Sequence, residues 1–113
     1  MENNKLYTLK CSACSGNTPK LNLDQIVKNL NKINNWEKNN ENEIIFKKFK
    51  FNSFKKVMEF INIVGKIAEE ESHHPDISFG YDYCLILIHT HAIKGLSIND
   101  FILASKIDQI LFQ

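Results

Sequence analysis

EEESHHPDISFGYDYCLILIHTH, residues 69–91, is where the chain changes its period, and that change decides the fold. Before it, Phe54, Val57, Met58, Ile61, Val64, Ile67 and Ala68 recur at the three- and four-residue spacing of one helical face. Asn52 or Ser53 stands where a cap belongs, and the helix should end near Glu71. After Pro75 the spacing falls to two: ISFGYDYCLILIHTH reads as two short strands around a tight turn at Gly80 to Asp82, the second strand running from Tyr83 to His91. Pro75 disfavours helical backbone at His74, so the chain must leave the helix there. The adjacent imidazoles of SHHPD occupy that corner, and the fold alone does not account for them.

The same change of period occurs on the N-terminal side. Leu23, Ile26, Val27, Leu30 and Ile33 keep helical spacing behind Asn22, which forms a candidate capping box with Gln25. Trp36 follows. Ile45, Lys47, Phe49 and Phe51 then alternate with Ile44, Phe46, Lys48 and Lys50, which predicts a hairpin turned at Asn39 to Asn42. Beyond His91, Gly95 breaks the strand pattern, Ser97 and Asp100 make a second capping box, and FILASKIDQILF continues as a helix. Helix, two strands, helix, two strands, helix is an α+β order. It predicts a four-stranded antiparallel sheet with three helices packed on one face. Residues 1–20, with Gly16, Thr18 and Pro19 and no periodicity, read as a partly ordered leader before a single domain, 21–113.

A chain of 113 residues that is 43% apolar and 24% charged can bury one modest core. Fourteen basic residues against 13 acidic ones give no bulk attraction to nucleic acid or a membrane. The lysines of KKFKFNSFKK, 47–56, read as the solvated side of an edge strand. MENNKLYTLK lacks the apolar centre of a signal peptide, and CLILI, 84–88, is too short to cross a bilayer. Three cysteines, an odd number, fit a reducing compartment, so a cytoplasmic protein is expected. The last strand is apolar on both sides, Leu85 and Leu87 on one and Cys84, Ile86 and Ile88 on the other, while the helices cover only one. A homo-oligomer, dimer or tetramer, is the expected cover.

Glu69 precedes His73 by four residues, so on a continuous helix its carboxylate would orient that ring. His89 and His91, two apart, would share one face of the last strand. Cys11 and Cys14 have CxxC spacing, and with the histidines at 73, 74, 89 and 91 they could hold zinc. No second CxxC or HxxxH supports this, and adjacent histidines rarely bind one ion together. Asp100 is also explained as the acidic third residue of its helix.

From Glu69 the chain reads Glu, three residues, HHP, five residues, Tyr81, nine residues, His91, eight residues, Asp100. This pattern resembles the signature of the pterin-4a-carbinolamine dehydratases, also known in animals as dimerisation cofactors. Trp36, IFKKFKF (45–51), GLS (95–97), ILASKID (102–108) and the leader CSACSGNTPKL (11–21) are similar to the family too. The resemblance implies the fold already predicted, assembled into dimers through sheet edges and often into tetramers. It implies a lyase that removes water from 4a-hydroxytetrahydropterin, the adduct left by an aromatic amino acid hydroxylase, to give quinonoid dihydropterin for recycling. Carried over by position, His73, His74 and His91 are catalytic, with His73 the first choice as acid at the hydroxyl and His91 the next. Glu69 and Asp100 are the carboxylates that orient them, and the pterin rests on His73, His74, Pro75, Thr90, His91, Ala92 and Ile93. The pterin is the substrate, and no metal, nucleotide or redox cofactor is implied. The chain departs from the family at Ser72, where many members are acidic, and at Ala92 and Ile93, where a member can offer a glutamate. His89 lies outside the pattern and is expected to be structural or a surface residue. The competing classes are the small zinc protein above and a non-enzymatic adaptor, since animal members also stabilise a transcription factor dimer; an adaptor has no need of the Glu, HHP, His and Asp set.

Overall fold

Each helix begins where a side chain can take up its first free N–H groups. In the computed structural model, which describes residues 5–13 and 15–110, Asn22 and Gln25 exchange side chain-to-backbone bonds of 2.9 Å each way and open α1, Leu23–Leu30. Ser53 accepts the Lys56 N–H at 3.2 Å and opens α2, Phe54–Glu71. Asp100 accepts the Ser97 N–H at 2.8 Å and opens α3, Ile98–Asp108. Between them lie β1 (Glu37–Lys38), β2 (Ile45–Lys50), β3 (Asp76–Gly80) and β4 (Tyr83–Ile88), with short 3-10 turns at Leu6–Thr8 and His91–Ile93. This is the α+β order expected.

The four strands pair antiparallel in the order β1-β2-β4-β3. The register sets Ile45, Lys47 and Phe49 opposite Ile88, Ile86 and Cys84, and Ile77 opposite Ile86. Period two then assigns these residues to one face, which is the core side: Ile45, Cys84, Ile86 and Ile88 are fully buried in one cluster with Val57, Phe60 and Val64 of α2 and Phe101 and Leu103 of α3. Phe60 is gripped by Phe49 and Phe51, at ring-centroid distances of 4.7 and 5.1 Å. Burial pushes the Cys84 thiol up to about 11, so it behaves as a small hydrophobe. The opposite face carries Phe46, Leu85 and Leu87, all half-buried. Within α1, Ile26 faces the core, whereas Leu23 and Val27 of the same apolar stripe are exposed.

The first hairpin is shorter than its alternation implied, because β1 has only two residues. Its turn falls where expected: Asn39 Oδ1 accepts the N–H groups of Glu43 (2.8 Å) and Ile44 (3.0 Å), and Asn42 adopts left-handed backbone. Lys47 corrects the expectation of a solvated basic face. It points to the core side, 2.9 Å from Asp108 Oδ1, and the same carboxylate takes the Trp36 Nε1–H and the Asn34 N–H. A charged residue stays on an inward strand position because α3 supplies its partner. Part of the leader packs on the domain: Leu6 is buried in the core cluster, and the Cys11 N–H bonds to Glu71 Oε1 at 2.8 Å. Among the described residues no helix is long and apolar enough to cross a membrane.

Candidate active site

Two corners of the chain meet to form the site. The first is the end of α2, where Ser72 takes left-handed backbone (φ 52°, ψ 39°). The Ser72 N–H bonds to Glu69 O at 3.3 Å and the His73 N–H to Ala68 O at 3.2 Å, the paired bonds of a Schellman motif. The reversal separates the two imidazoles. His73 is buried, with Nε2 2.6 Å from Asp100 Oδ1, and His74 stays outside, with Nε2 2.5 Å from Glu69 Oε2. The expected pairing of Glu69 with His73 is therefore corrected to Glu69 with His74. A pairing of residues four apart needs an unbroken helix, and Ser72 takes His73 out of phase.

The second corner follows β4, which stops at Ile88 rather than continuing to His91. Thr90 and Gly95 pair as an isolated bridge, with the Thr90 N–H 2.9 Å from Gly95 O, and the enclosed residues turn through His91–Ile93 to a left-handed Lys94. His91 is thus carried, exposed, by a loop. The expectation that His89 and His91 share a strand face is corrected: the loop brings their rings to a centroid distance of 4.0 Å at 58°.

Asp100 joins the corners. Fully buried, it gives Oδ1 to His73 and accepts the Thr90 hydroxyl and the Ser97 N–H on Oδ2, each at 2.8 Å. With the Thr90 proton spent on Asp100, the Ser97 hydroxyl, 2.8 Å away, donates to Thr90. The capping and histidine-orienting explanations of Asp100 are therefore not alternatives, since one oxygen serves each. Thr90, expected at the substrate, lines the pocket while its hydroxyl is committed to this network.

Between the corners lies a pocket of about 350 Å³ lined by residues 72–76 and 89–92. Of the residues expected to hold the substrate, His73, His74, Pro75, Thr90, His91 and Ala92 line it; Glu69 and Ile93 are not among its lining residues, and Asp100 stands behind His73. Tyr81 sits in the β3–β4 turn, exposed, at the opposite end of the hairpin. His89, expected to be structural or a surface residue, lines the pocket with Nε2 3.6 Å from Asp76 Oδ2. The only sequence signal for it was its two-residue spacing from His91. A neighbouring hollow of about 240 Å³ shares His89 and His91 and adds Glu43, Ile44 and Lys94. Among the described residues no three His, Cys, Asp or Glu side chains converge as a metal site; the Cys11 thiol faces Asn99 O at 3.5 Å, and Cys14 lies outside the described residues. Chemically the pocket offers several imidazoles, side chains whose ordinary pKa lies near neutrality and which can give or take protons there.

The family profile described as Pterin 4 alpha carbinolamine dehydratase matches residues 19–110. A Legionella pneumophila (strain Corby) protein provisionally named pterin-4-alpha-carbinolamine dehydratase is 44% identical over 107 residues, covering 94% of this chain and 95% of its own. A Nitrosospira multiformis protein of the same provisional name is 43% identical over 108 residues, covering 96% and 93%. A Brucella melitensis crystal structure described as a transcriptional coactivator/pterin dehydratase superposes with a TM-score of 0.75 at 26% identity, over 79% of this chain and 95% of that one. A pterin dehydratase-like RuBisCO assembly factor of the alpha-carboxysome shares the fold, with a TM-score of 0.58 at 24% identity over 66% and 87%. The profile's span contains both corners and Asp100, so the pocket lies inside the region of likeness, and the chain belongs to the pterin 4 alpha carbinolamine dehydratase family.

Proposed function

We propose that the protein is a hydro-lyase that removes water from a 4a-hydroxytetrahydropterin and releases quinonoid dihydropterin, as a step in tetrahydropterin recycling. The observation that carries this reading is the His73–Asp100 pair in the wall of a pocket that also presents His74 and His91. The 4a-hydroxyl needs a proton to leave as water, and the cation left behind becomes the quinonoid product when a ring N–H gives up its proton. One proton is delivered, one is removed and water departs. The step balances without an electron donor, metal or nucleotide, so no cofactor is assigned and the pterin is the substrate.

In this reading His73 protonates the leaving hydroxyl, and Asp100 behind it fixes the ring and balances its charge when protonated. His91, across the pocket, takes the ring proton. His74, braced by Glu69, joins Pro75 and Ala92 in holding the pterin. The working unit is a homodimer or homotetramer with one pocket per chain. Phe46, Leu85 and Leu87 occupy the sheet face turned away from the core, and β3 is an edge strand with Phe54 and Phe79 exposed beside it. The odd cysteine count supports action in the cytoplasm.

Family relatives described as a coactivator and as an assembly factor make an adaptor the second reading, but binding a partner protein does not need the buried His73–Asp100 pair at a pocket wall. Stopped-flow dehydration of a synthetic 4a-hydroxytetrahydropterin decides between them. Acceleration over buffer is expected, and a rate equal to the spontaneous one would sink the enzyme reading.

A further inference from the structure

We propose that leader residues Lys10–Ser12 are a positioning strap for the His73–Asp100 pair, acting through Glu71 and Asn99. The strap is stitched to the residues that flank the pair. Asn99, immediately before Asp100, accepts the Ser12 N–H on Oδ1 and donates Nδ2 to Ser12 O, both at 3.0 Å. Glu71, two residues before His73, accepts the Cys11 N–H at 2.8 Å. Asn99 is 1% exposed and Glu71 7%, so both side chains have little access to water as an alternative partner.

The contacts span a seam. Glu71 closes α2 and Asn99 opens α3, and the 2.6 Å bond from His73 to Asp100 crosses between the same two helix ends. Lys10 adds a bond to Glu70 O at 3.0 Å and an ion pair to Glu71, while Lys106 of α3 reaches Glu71 at 3.2 Å. A leader that only covered apolar surface would need just Leu6 and the Cys11 side chain. Bonds made by its backbone to two buried polar side chains, each within two residues of one member of the pair, fix the distance between those members. Displacement of a reacting group by about 1 Å costs on the order of 100-fold in rate, so a partial loosening is readable.

The activity arm of the test rests on the dehydratase reading; a spectroscopic arm does not. Ser12→Pro removes one N–H from an exposed position without touching either helix. The expected result is a kcat lowered about 10-fold with KM changed less than about 2-fold, together with broadening of the downfield imidazole N–H proton of His73 in the NMR spectrum. Ser12→Ala keeps both backbone bonds and should restore the wild-type kcat and proton signal. Asn99→Asp, which keeps an acceptor for the Ser12 N–H and loses the donor to Ser12 O, should fall between and serves if Ser12→Pro does not fold. A wild-type kcat in Ser12→Pro, or an unchanged His73 proton signal accompanied only by a lower melting temperature, overturns the strap. If the wild-type protein dehydrates no pterin, the dehydratase reading fails, and the proton signal alone decides the strap.

Discussion

His73 Nε2 and Asp100 Oδ1 meet at 2.6 Å although they lie 27 positions apart in the chain. The same carboxylate, through its other oxygen, holds the hydroxyl of Thr90, which anchors the loop that carries His91. One buried acid thus registers both walls of the pocket against the start of α3.

For Asp100 the two oxygens predict two losses. Asp100→Asn keeps the shape but places an amide donor against a donor, so dehydration should slow by about 100-fold. Asp100→Ala should in addition lower stability by about 3 kcal/mol, since a buried ring, a hydroxyl and an N–H lose their acceptor together. Stopped-flow rates and urea melts measure the two. A fall in stability with an unchanged rate would leave Asp100 as a helix cap only.

Glu69 contrasts with Asp100 because its bond to His74 lies in solvent, with side chains 78% and 60% exposed. Glu69→Gln should leave the melting temperature within about 1 °C of wild type, as expected of a surface pair. Its effect should appear as a raised KM, from looser placement of His74, with kcat nearly retained. A kcat loss as large as that of Asp100→Asn would move Glu69 into the proton-transfer chemistry.

His73→Ala and His91→Ala should each slow dehydration by roughly 10- to 10⁴-fold, the range for lost general acid–base groups. The His91 variant should keep wild-type stability, because that ring is exposed on its loop. Full activity in either variant would remove that residue from the mechanism.

Ser72 carries backbone strain that a glycine would relieve. Left-handed backbone costs a non-glycine residue about 1 to 2 kcal/mol, and glycine's extra unfolded-state freedom costs about 0.5 to 1 kcal/mol. Ser72→Gly should therefore stabilise by about 0.5 to 1 kcal/mol, a rise of a few degrees in calorimetry. A lower melting temperature would mean that the Ser72 side chain outweighs the backbone term.

Glu71 sets an acid limit on leader docking. Burial raises its pKa, but the Cys11 N–H, Lys106 and Lys10 outweigh that and hold it below the ordinary 4.5. A carboxylate with a depressed folded-state pKa contributes stability that is fully present above its unfolded value and is lost as pH falls through its folded value. Denaturant melts from pH 7 down to about 3 should show this loss setting in below the ordinary carboxylate value, with a shallower decline in Glu71→Gln. Parallel curves for the two proteins would contradict it.

The parts of the fold that are local in cause were readable from the chain. The Asn22–Gln25 box, the Ser53 cap, the Asn39 turn and the period change at Pro75 each depend on residues within a few positions of one another. What was not readable depends on phase and on distant partners. A single left-handed residue at Ser72 reassigned Glu69 from His73 to His74. The Thr90–Gly95 bridge ended β4 early and altered how His89 and His91 meet. The inward Lys47 and the leader's bonds to Glu71 and Asn99 join residues 60 or more positions apart, which no periodicity encodes.

The bridge between Thr90 and Gly95 closes its loop at the base, and Thr90 secures that base to Asp100. Residues 91–94 project beyond the closure, so their side chains can be exchanged without disturbing the ladder of β4 or the cap of α3. The segment behaves as a cassette in which a substitution at Ala92 can retune what the pocket admits while the scaffold's folding stays insulated. What the pocket admits and how stably the chain folds are therefore separable by substitution in this loop.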